Sequence, residues 1–373
     1  MRRLFYTDWI LFSAVYLVLG IGLLALFSLS KDLNFSSVFA RQFLFAALGS
    51  LLLFSSSALD SRYISKLSTP LYFFTIALLV AVLVFGSVIR GTSGWIQIAG
   101  FQFQPVEFSK VVLIVFLASF ISQKRSELGD LVRLIVSLLL TAFLVLLVLR
   151  QPDFGSALVL AGIWFGMVVV SGIRKRYLVL LLVLFVALAG AAWFLFAPYQ
   201  RDRILTFLNP TLDPRGSGYN VIQSLVAVGS GGLTGKGLGH GSQSQSNFLP
   251  ERHTDFIFAV IAEELGFFGV SLLLFLFGVI LFRMSSIAAS AKDNFSYLAI
   301  VGVILLFCIQ ITVNVGMNVG LLPVTGIPLP LVSYGGSSLL STFLALALVR
   351  VLAFQRKTPD SYEWTGGYGL PSP

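Results

Sequence analysis

Ten long apolar runs dominate this chain. They fall near residues 9–29, 38–58, 69–89, 105–122, 132–149, 154–172, 177–196, 256–282, 296–320 and 329–352. A bilayer core about 30 Å thick takes roughly 20 apolar residues to cross at a helical rise of about 1.5 Å. Lipid offers the backbone no hydrogen bonds, so a spanning segment must satisfy its own N–H and C=O groups, as a helix does. The runs therefore predict an all-α polytopic membrane protein with about ten transmembrane helices. Composition agrees: 11% of the 373 residues are charged, against roughly 25% in an ordinary soluble domain. The first run lacks a cleavage pattern and reads as an uncleaved first helix.

Basic residues orient the spans. With ten spans both termini share a side. The loops of that side carry fifteen Lys and Arg, whereas the short loops opposite carry only Lys31, Arg41, Arg90 and Arg150. By the positive-inside rule both termini are cytoplasmic. The expected organisation is one membrane domain over 1–357, with a large extracytoplasmic loop, 197–255, between helices 7 and 8. The Pro-, Gly- and Ser-rich residues 358–373 read as a flexible cytoplasmic tail. The net charge of +9 is scattered over short loops rather than gathered on a stripe, which argues against nucleic acid as a partner. The single cysteine, Cys308, lies in an apolar run, so neither a disulfide nor a Cys–His metal cluster is expected.

The large loop holds nine glycines between 216 and 241, which permit close backbone approach to a ligand. Among them sit Lys236, Gln243, Gln245 and several serines, side chains suited to hydroxyl-rich or phosphorylated ligands. "GKGLGHG" lacks the spacing of a P-loop and no strand precedes it, so no nucleotide or other organic cofactor is expected.

Charges at membrane depth are costly and mark candidate sites. Glu107 and Lys110 lie on one helical face and can pair. Arg150 and Asp153 flank the junction of the fifth and sixth spans. Asp255 precedes the eighth span, and Glu263 and Glu264 follow about two turns further in. Each has a plainer alternative: Glu107 and Lys110 as a packing pair, Asp255 as a helix cap, His253 as a structural ring.

The strings "FQPVEFSK", "QPDFGSALV", "DPRGSGYNVIQS", "GKGLGHGSQSQSNFLPERHTDFIFAVIAEELG" and "TGIPLPLVSYGGSS" occur in order along nearly the whole chain. Together they closely resemble the SEDS family, the bacterial shape, elongation, division and sporulation proteins. "GSQSQSNFLPERH" and "PERHTDFIF" look more like its elongation branch than its division branch. The resemblance implies a ten-span peptidoglycan glycosyltransferase of the bacterial cytoplasmic membrane. Such an enzyme polymerises lipid II, a disaccharide-pentapeptide on undecaprenyl pyrophosphate, into glycan strands for cell elongation and rod shape. The implied partners are a class B penicillin-binding protein, which cross-links the glycan, and other membrane proteins of the elongation complex. The family's essential acidic residue falls on Asp255. Candidate substrate contacts are Glu107, Lys110, Asp153, Lys236, Gln243, Gln245, Glu251, Arg252 and Thr254.

The chemistry suits these residues. A carboxylate at the outer interface can take the proton of an attacking sugar hydroxyl. The pyrophosphate leaving group needs charge stabilisation instead, from Lys110, Arg201, Arg203, Lys236, Arg252 or a divalent cation, Mg²⁺ or Mn²⁺. No dedicated metal cage is evident, so a cation would sit between pyrophosphate and one or two carboxylates. Two other classes fit part of the pattern. A lipid II flippase would need a polar path into the cytoplasmic half, where the spans look plain. A non-catalytic scaffold for a transpeptidase would leave the polar loop and Asp255 without a role.

Overall fold

The computed structural model describes residues 8–56, 60–98, 101–123, 129–174, 205–209 and 217–355, apart from positions 32, 90 and 247, together with residues 176, 177, 179 and 183. The chain forms helices α1 (Trp9–Ser28), α2 (Leu33–Ser55) and α3 (Ser61–Phe85). A small sheet of β1 (Ser87–Ile89), β2 (Thr92–Ile98) and β3 (Phe101–Phe103) follows. Next come α4 (Pro105–Ser122), α5 (Asp130–Leu149), α6 (Phe154–Val170), α7 (Ser217–Ser230) and the single turn α8 (Ser242–Gln245). The long helices α9 (Ile257–Ala288), α10 (Asn294–Asn318) and α11 (Gly336–Gln355) complete it.

Among the described residues, eight helices are long and apolar enough to cross a membrane, and α6 is a shorter apolar helix. The protein is a polytopic helical membrane protein. Nine of the ten expected spans thus have a helix. The seventh, expected at 177–196, falls almost wholly outside the described residues, as do parts of the 197–255 loop and the whole 358–373 tail.

Boundaries moved for local reasons. The third helix was expected over 69–89 and instead starts at Ser61, where the Asp60 carboxylate accepts a hydrogen bond from the Arg62 amide at 3.0 Å. Its expected last residues belong to β1. Strands were not expected here; β1 lies at the end of the third run, where a short apolar segment does not distinguish helix from strand, and β2 and β3 fall between the third and fourth runs. The three strands pair antiparallel in the order β1-β2-β3, with Ser87 opposite Trp95 and Ile98 opposite Phe101. The last helix was expected from 329 but starts at Gly336, because residues 329–335 are tied down as a turn.

Aspartates begin several helices. Asp8, Asp60, Asp153 and Asp293 occupy the N-cap positions of α1, α3, α6 and α10, and each accepts a backbone N–H of the first turn. Such a cap stabilises a helix by roughly 1 kcal/mol. Helix α9 differs: its N-cap is Phe256, with no side-chain capping bond.

Helices α4 and α11 are the most enclosed, 72% buried along their spans, against 22–28% for α2, α3 and α5. Helix α4 packs on α3, α6, α10 and α11. The outer ring presents large apolar side chains such as Phe73, Phe74, Phe275 and Phe282 outward, as a lipid-facing surface does.

Helix α9 is interrupted at Gly266, where φ is 66° and ψ −164°. A break at membrane depth frees backbone groups that need partners. The glycine-rich stretch after α7 supplies them. Lys236 N and Gly237 N donate to the carbonyls of Glu263 and Glu264, both at 3.0 Å, and Phe267 N and Phe268 N donate to Gly232 and Leu233. A side chain at Gly235 would lie 2.1 Å from the Glu264 carbonyl oxygen, so only glycine permits this approach.

Candidate functional site

Helices α4, α6, α9 and α11 all begin at one end of the bundle, around an open cavity of about 160 Å³. Glu107 of α4, Asp153 and Ser156 at the start of α6, Thr254 and Asp255 before α9, and Ser337 and Ser338 of α11 line it. Thr92 and Trp95 of β2 cover one side, with the Trp95 indole N–H held by Thr92 Oγ1 at 3.1 Å. Thr325, Gly326, Pro328 and Tyr334 supply the wall between α10 and α11. Four helix N-termini directed at one space favour negative charge there.

Asp255 is fixed through its backbone. Its carbonyl accepts hydrogen bonds from Asn314 Nδ2 at 3.1 Å and Asn318 Nδ2 at 3.0 Å. Both asparagines are fully buried on α10. Asn318 Oδ1 also accepts from the Ala259 amide, 3.2 Å, tying the first turn of α9 to the same pair. Asn314 Nδ2 further donates to the Ile327 carbonyl, 2.8 Å. The cavity wall at 325–328 and the Asp255 backbone are thereby held by the same side chain. Gly326 has φ +76°, and a Cβ there would sit 3.6 Å from Asp255 Oδ2.

Neighbouring residues are tied in the same way. Ser333 Oγ donates to the Thr254 carbonyl at 2.6 Å, and Tyr334 N donates to the His253 carbonyl at 2.8 Å. His253 packs its ring on Tyr334. Gln42 of α2 donates to the Ser333 carbonyl and accepts from Gly335 N. Asp153 caps α6 through Ser156 N at 2.9 Å and accepts from Gln104 Nε2 at 3.4 Å. A side chain at Gly155 would come within 2.5 Å of the Thr325 carbonyl oxygen, so this glycine lets α6 lie directly against the cavity wall.

Glu107 and Lys110 form the expected pair: Nζ to Oε1 is 2.7 Å, with side chains 3% and 1% exposed. Glu107 lines the cavity while Lys110 sits behind it. Breaking such a pair leaves a buried charge without its partner, at about 3–5 kcal/mol.

The other expected contacts form a second cluster about two turns down α9. Glu263 Oε1 accepts from Lys236 Nζ at 2.8 Å, Gln243 N at 2.9 Å and Ser242 Oγ at 3.3 Å, and Oε2 accepts from Ser244 N at 2.9 Å. Glu264 Oε1 accepts from Gln245 Nε2 at 2.9 Å. Buried Arg252 donates through Nη1 to the Ser244 carbonyl. Glu251 is partly exposed and accepts from Thr254 Oγ1 at 2.9 Å.

The geometry thus divides the residues singled out in the sequence. Asp255, Thr254, Asp153 and Glu107 meet at one cavity, with Lys110 in support. Lys236, Gln243, Gln245 and Arg252 instead anchor the glycine-rich loop and α8 beneath it. Arg201 and Arg203 lie outside the described residues. Sequence reasoning missed Asn314 and Asn318, whose signal is a pair of carboxamides four residues apart in an apolar helix. It also missed Gln42, Trp95 and Gln104. Among the described residues no Lys or Arg lines the cavity, and no three His, Cys, Asp or Glu side chains are grouped to hold a metal ion.

A bundle of apolar helices, with a polar cavity at one end where several of them begin, defines an integral membrane protein. Comparison with known proteins specifies which one. The FtsW/RodA/SpoVE cell cycle protein family matches residues 7–358, and the chain belongs to this family, the SEDS family of the motifs. It is 41% identical over 360 residues to stage V sporulation protein E of Bacillus subtilis (strain 168), covering 92% of this chain and 95% of that protein. It is 40% identical over 312 residues to peptidoglycan glycosyltransferase MrdB of Escherichia coli (strain K12), covering 83% and 84%. A chain solved in a study of how a peptidoglycan synthase complex coordinates polymerization and crosslinking superposes with a TM-score of 0.79. It is 37% identical, and the match covers 94% of this chain and 99% of that one.

Proposed function

We propose that this chain is a peptidoglycan glycosyltransferase that polymerises lipid II at the outer face of the bacterial cytoplasmic membrane, with both termini in the cytoplasm. The observation that carries the reading is the single cavity joining Asp255, Asp153 and Glu107 at the converging starts of four helices. Asp255 is the base. Its carboxylate takes the proton from a sugar hydroxyl as that oxygen attacks the anomeric carbon of the lipid-linked sugar. The bond from that carbon to the pyrophosphate oxygen breaks, and the lipid pyrophosphate leaves. General-base assistance of this kind contributes roughly 10²–10⁴-fold.

The helix N-termini offer partial positive charge to the pyrophosphate. With no basic side chain lining the cavity among the described residues, the rest of the neutralisation falls to a divalent cation, Mg²⁺ or Mn²⁺. The Asp153 carboxylate, with pyrophosphate oxygens, would fit the hard-oxygen preference of such an ion. When bound, it supplies charge stabilisation to the leaving group. Ser337, Ser338, Thr325 and Tyr334 suit the hydroxyl-rich substrate, and the Trp95 ring can cover a sugar face.

We assign the chain to the elongation branch, with a class B penicillin-binding protein and other membrane proteins of the elongation complex as partners. The "PERHTDFIF" pattern and the similarity to MrdB support this. A flippase is less well supported. Between Lys110 and the far end of α4, residues Val111, Leu113, Ile114, Leu117 and Ala118 are buried and apolar, which offers no polar path along that helix.

The test is polymerisation of purified lipid II by the purified protein, with and without its transpeptidase partner, resolved on a gel. Glycan ladders are expected. Their absence under both conditions, with the protein folded, refutes the reading.

A further inference from the structure

Among the described residues, every charged side chain lining the cavity at the starts of α4, α6, α9 and α11 is an acid: Glu107, Asp153 and Asp255. An ionised carboxylate accepts hydrogen bonds and donates none. Side-chain donors must then come largely from hydroxyl groups, and three of these are already committed within the chain. Thr92 Oγ1 donates to the Ile89 carbonyl at 3.0 Å, Thr254 Oγ1 to the Glu251 carboxylate at 2.9 Å, and Ser337 Oγ to the Gln102 carbonyl at 3.3 Å.

Thr325 differs. It lines the cavity, it is 8% exposed, and its Oγ1 is buried with no hydrogen-bond partner. Leaving a buried hydroxyl unpaired costs stability, and folded proteins pair the large majority of such groups. The backbone around it is fixed. Asn314 Nδ2 donates to the Ile327 carbonyl at 2.8 Å, and the start of α6 lies so close that a side chain at Gly155 would come within 2.5 Å of the Thr325 carbonyl oxygen. The next residue is Gly326, where a Cβ would sit 3.6 Å from Asp255 Oδ2. The unpaired hydroxyl thus belongs to a rigid wall, one residue from the point that meets the Asp255 carboxylate.

We propose that Thr325 is a substrate-binding residue whose hydroxyl donates to a ring hydroxyl of the lipid-linked sugar. This rests on the glycosyltransferase reading and adds which part of the substrate meets the 325–328 wall. A sugar hydroxyl both donates and accepts, so it can donate to a cavity carboxylate and accept from Thr325. A diphosphate only accepts, and it carries negative charge that three carboxylates oppose. The Thr325 hydroxyl reaches the sugar by a χ1 step between staggered positions, with the backbone unmoved. The substrate then partners a group that the chain itself leaves unpaired.

The test starts from the full-length purified protein carrying Asp255→Asn, which is expected to hold substrate without turning it over. Thr325→Val or Thr325→Ser is added to it. Binding of lipid II and of undecaprenyl pyrophosphate, which has no sugar, is measured by native mass spectrometry, with the melting temperature alongside. Thr325→Val keeps the shape and removes the hydroxyl. It is expected to weaken lipid II binding about three- to tenfold and to leave undecaprenyl pyrophosphate binding within about twofold. It should also melt at or above the temperature of its parent, because the unpaired group is gone. Thr325→Ser is expected to stay within about twofold of the parent for both ligands. An equal loss for the two ligands would put the hydroxyl on the diphosphate and overturn the proposal. A clear fall in melting temperature in Thr325→Val would give the hydroxyl a structural task and overturn it as well. If the Asp255→Asn parent retains no lipid II, the glycosyltransferase reading falls and this proposal with it. If the parent binds lipid II and Thr325→Val binds it equally well, this proposal alone falls.

Discussion

Asp255 and Glu263 lie about two turns apart at the head of α9, and their surroundings are opposite. Glu263 is fully buried, and four donors from the loop and α8 converge on it: Lys236 Nζ, Ser242 Oγ and the amides of Gln243 and Ser244. Asp255 is held by its carbonyl, through Asn314 and Asn318, and its side chain lines the cavity. A carboxylate met by its own chain's donors organises structure. One that lines a cavity stands beside whatever enters it. The sequence motifs already set Asp255 apart, and of the two it is the one that lines the cavity.

The largest effect that separates them is Asp255→Asn. It keeps the shape and removes the basic oxygen. Polymer yield is expected to fall at least about 100-fold, with the melting temperature within a degree or two of wild type. Near-normal polymer from this variant would end the comparison and move the base to Glu107 or Asp153. Glu263→Gln should behave in reverse. Its amide group would face Lys236 and two backbone N–H donors, costing about 3 kcal/mol for a broken buried pair. The readout is a lower yield of folded protein and a lower melting temperature, with polymer made per folded molecule largely retained. A stable but inactive Glu263→Gln would place Glu263 in the chemistry and collapse the distinction.

The fold was readable because lipid imposes a strong rule. Long apolar runs such as 9–29 and 296–320 have few alternatives to spanning helices, and α1 and α10 lie within a few residues of them. The sheet at 87–103 was hidden because β1 sits within the end of the third run, while β2 and β3 are short and interrupted by glycines and polar residues. The cavity was readable at Asp255, Glu107 and Asp153, which line it, because charge is rare in this chain. Lys236, Gln243, Gln245 and Arg252 were grouped with them on side-chain chemistry alone. Where they lie, on the Glu263 and Glu264 carboxylates and the Ser244 carbonyl rather than in the cavity, depends on how the loop folds back, and residues 231–246 carry no pattern that states it. Asn314 and Asn318 were passed over because carboxamides carry no charge, although burial makes them as costly to leave unpaired.

Asn318→Leu tests whether backbone positioning is what distinguishes Asp255. The change removes the donor to the Asp255 carbonyl and leaves the Ala259 amide without its side-chain acceptor, about 1–3 kcal/mol for an orphaned buried group. Asn314 still holds the same carbonyl, so activity should weaken rather than vanish. About a tenfold loss in kcat is expected with KM for lipid II little changed, measured in steady state on matched amounts of folded protein. A purely structural role for Asn318 would lower the melting temperature and leave kcat per folded molecule alone.

The smallest expected effect comes from Gly326, which faces the Asp255 carboxylate across the cavity. Its φ of +76° is one that L residues rarely adopt, and a Cβ would lie 3.6 Å from Oδ2, an ordinary contact rather than a clash. Gly326→Ala therefore pays about 1–2 kcal/mol of backbone strain while leaving the carboxylate where it is. Melting temperature should drop by a few degrees, and polymerisation at a temperature below the transition should stay within about threefold of wild type. Gly326→Val carries the same strain but puts two more carbons toward Oδ2, so polymerisation should fall further at equal folded protein. If the two variants lose activity equally, the space in front of Asp255 is not what the reaction uses. The contrast with the enclosed Glu263 would then lose its functional meaning. A graded loss from Ala to Val would show that the space between Gly326 and this carboxylate is where the substrate hydroxyl has to stand.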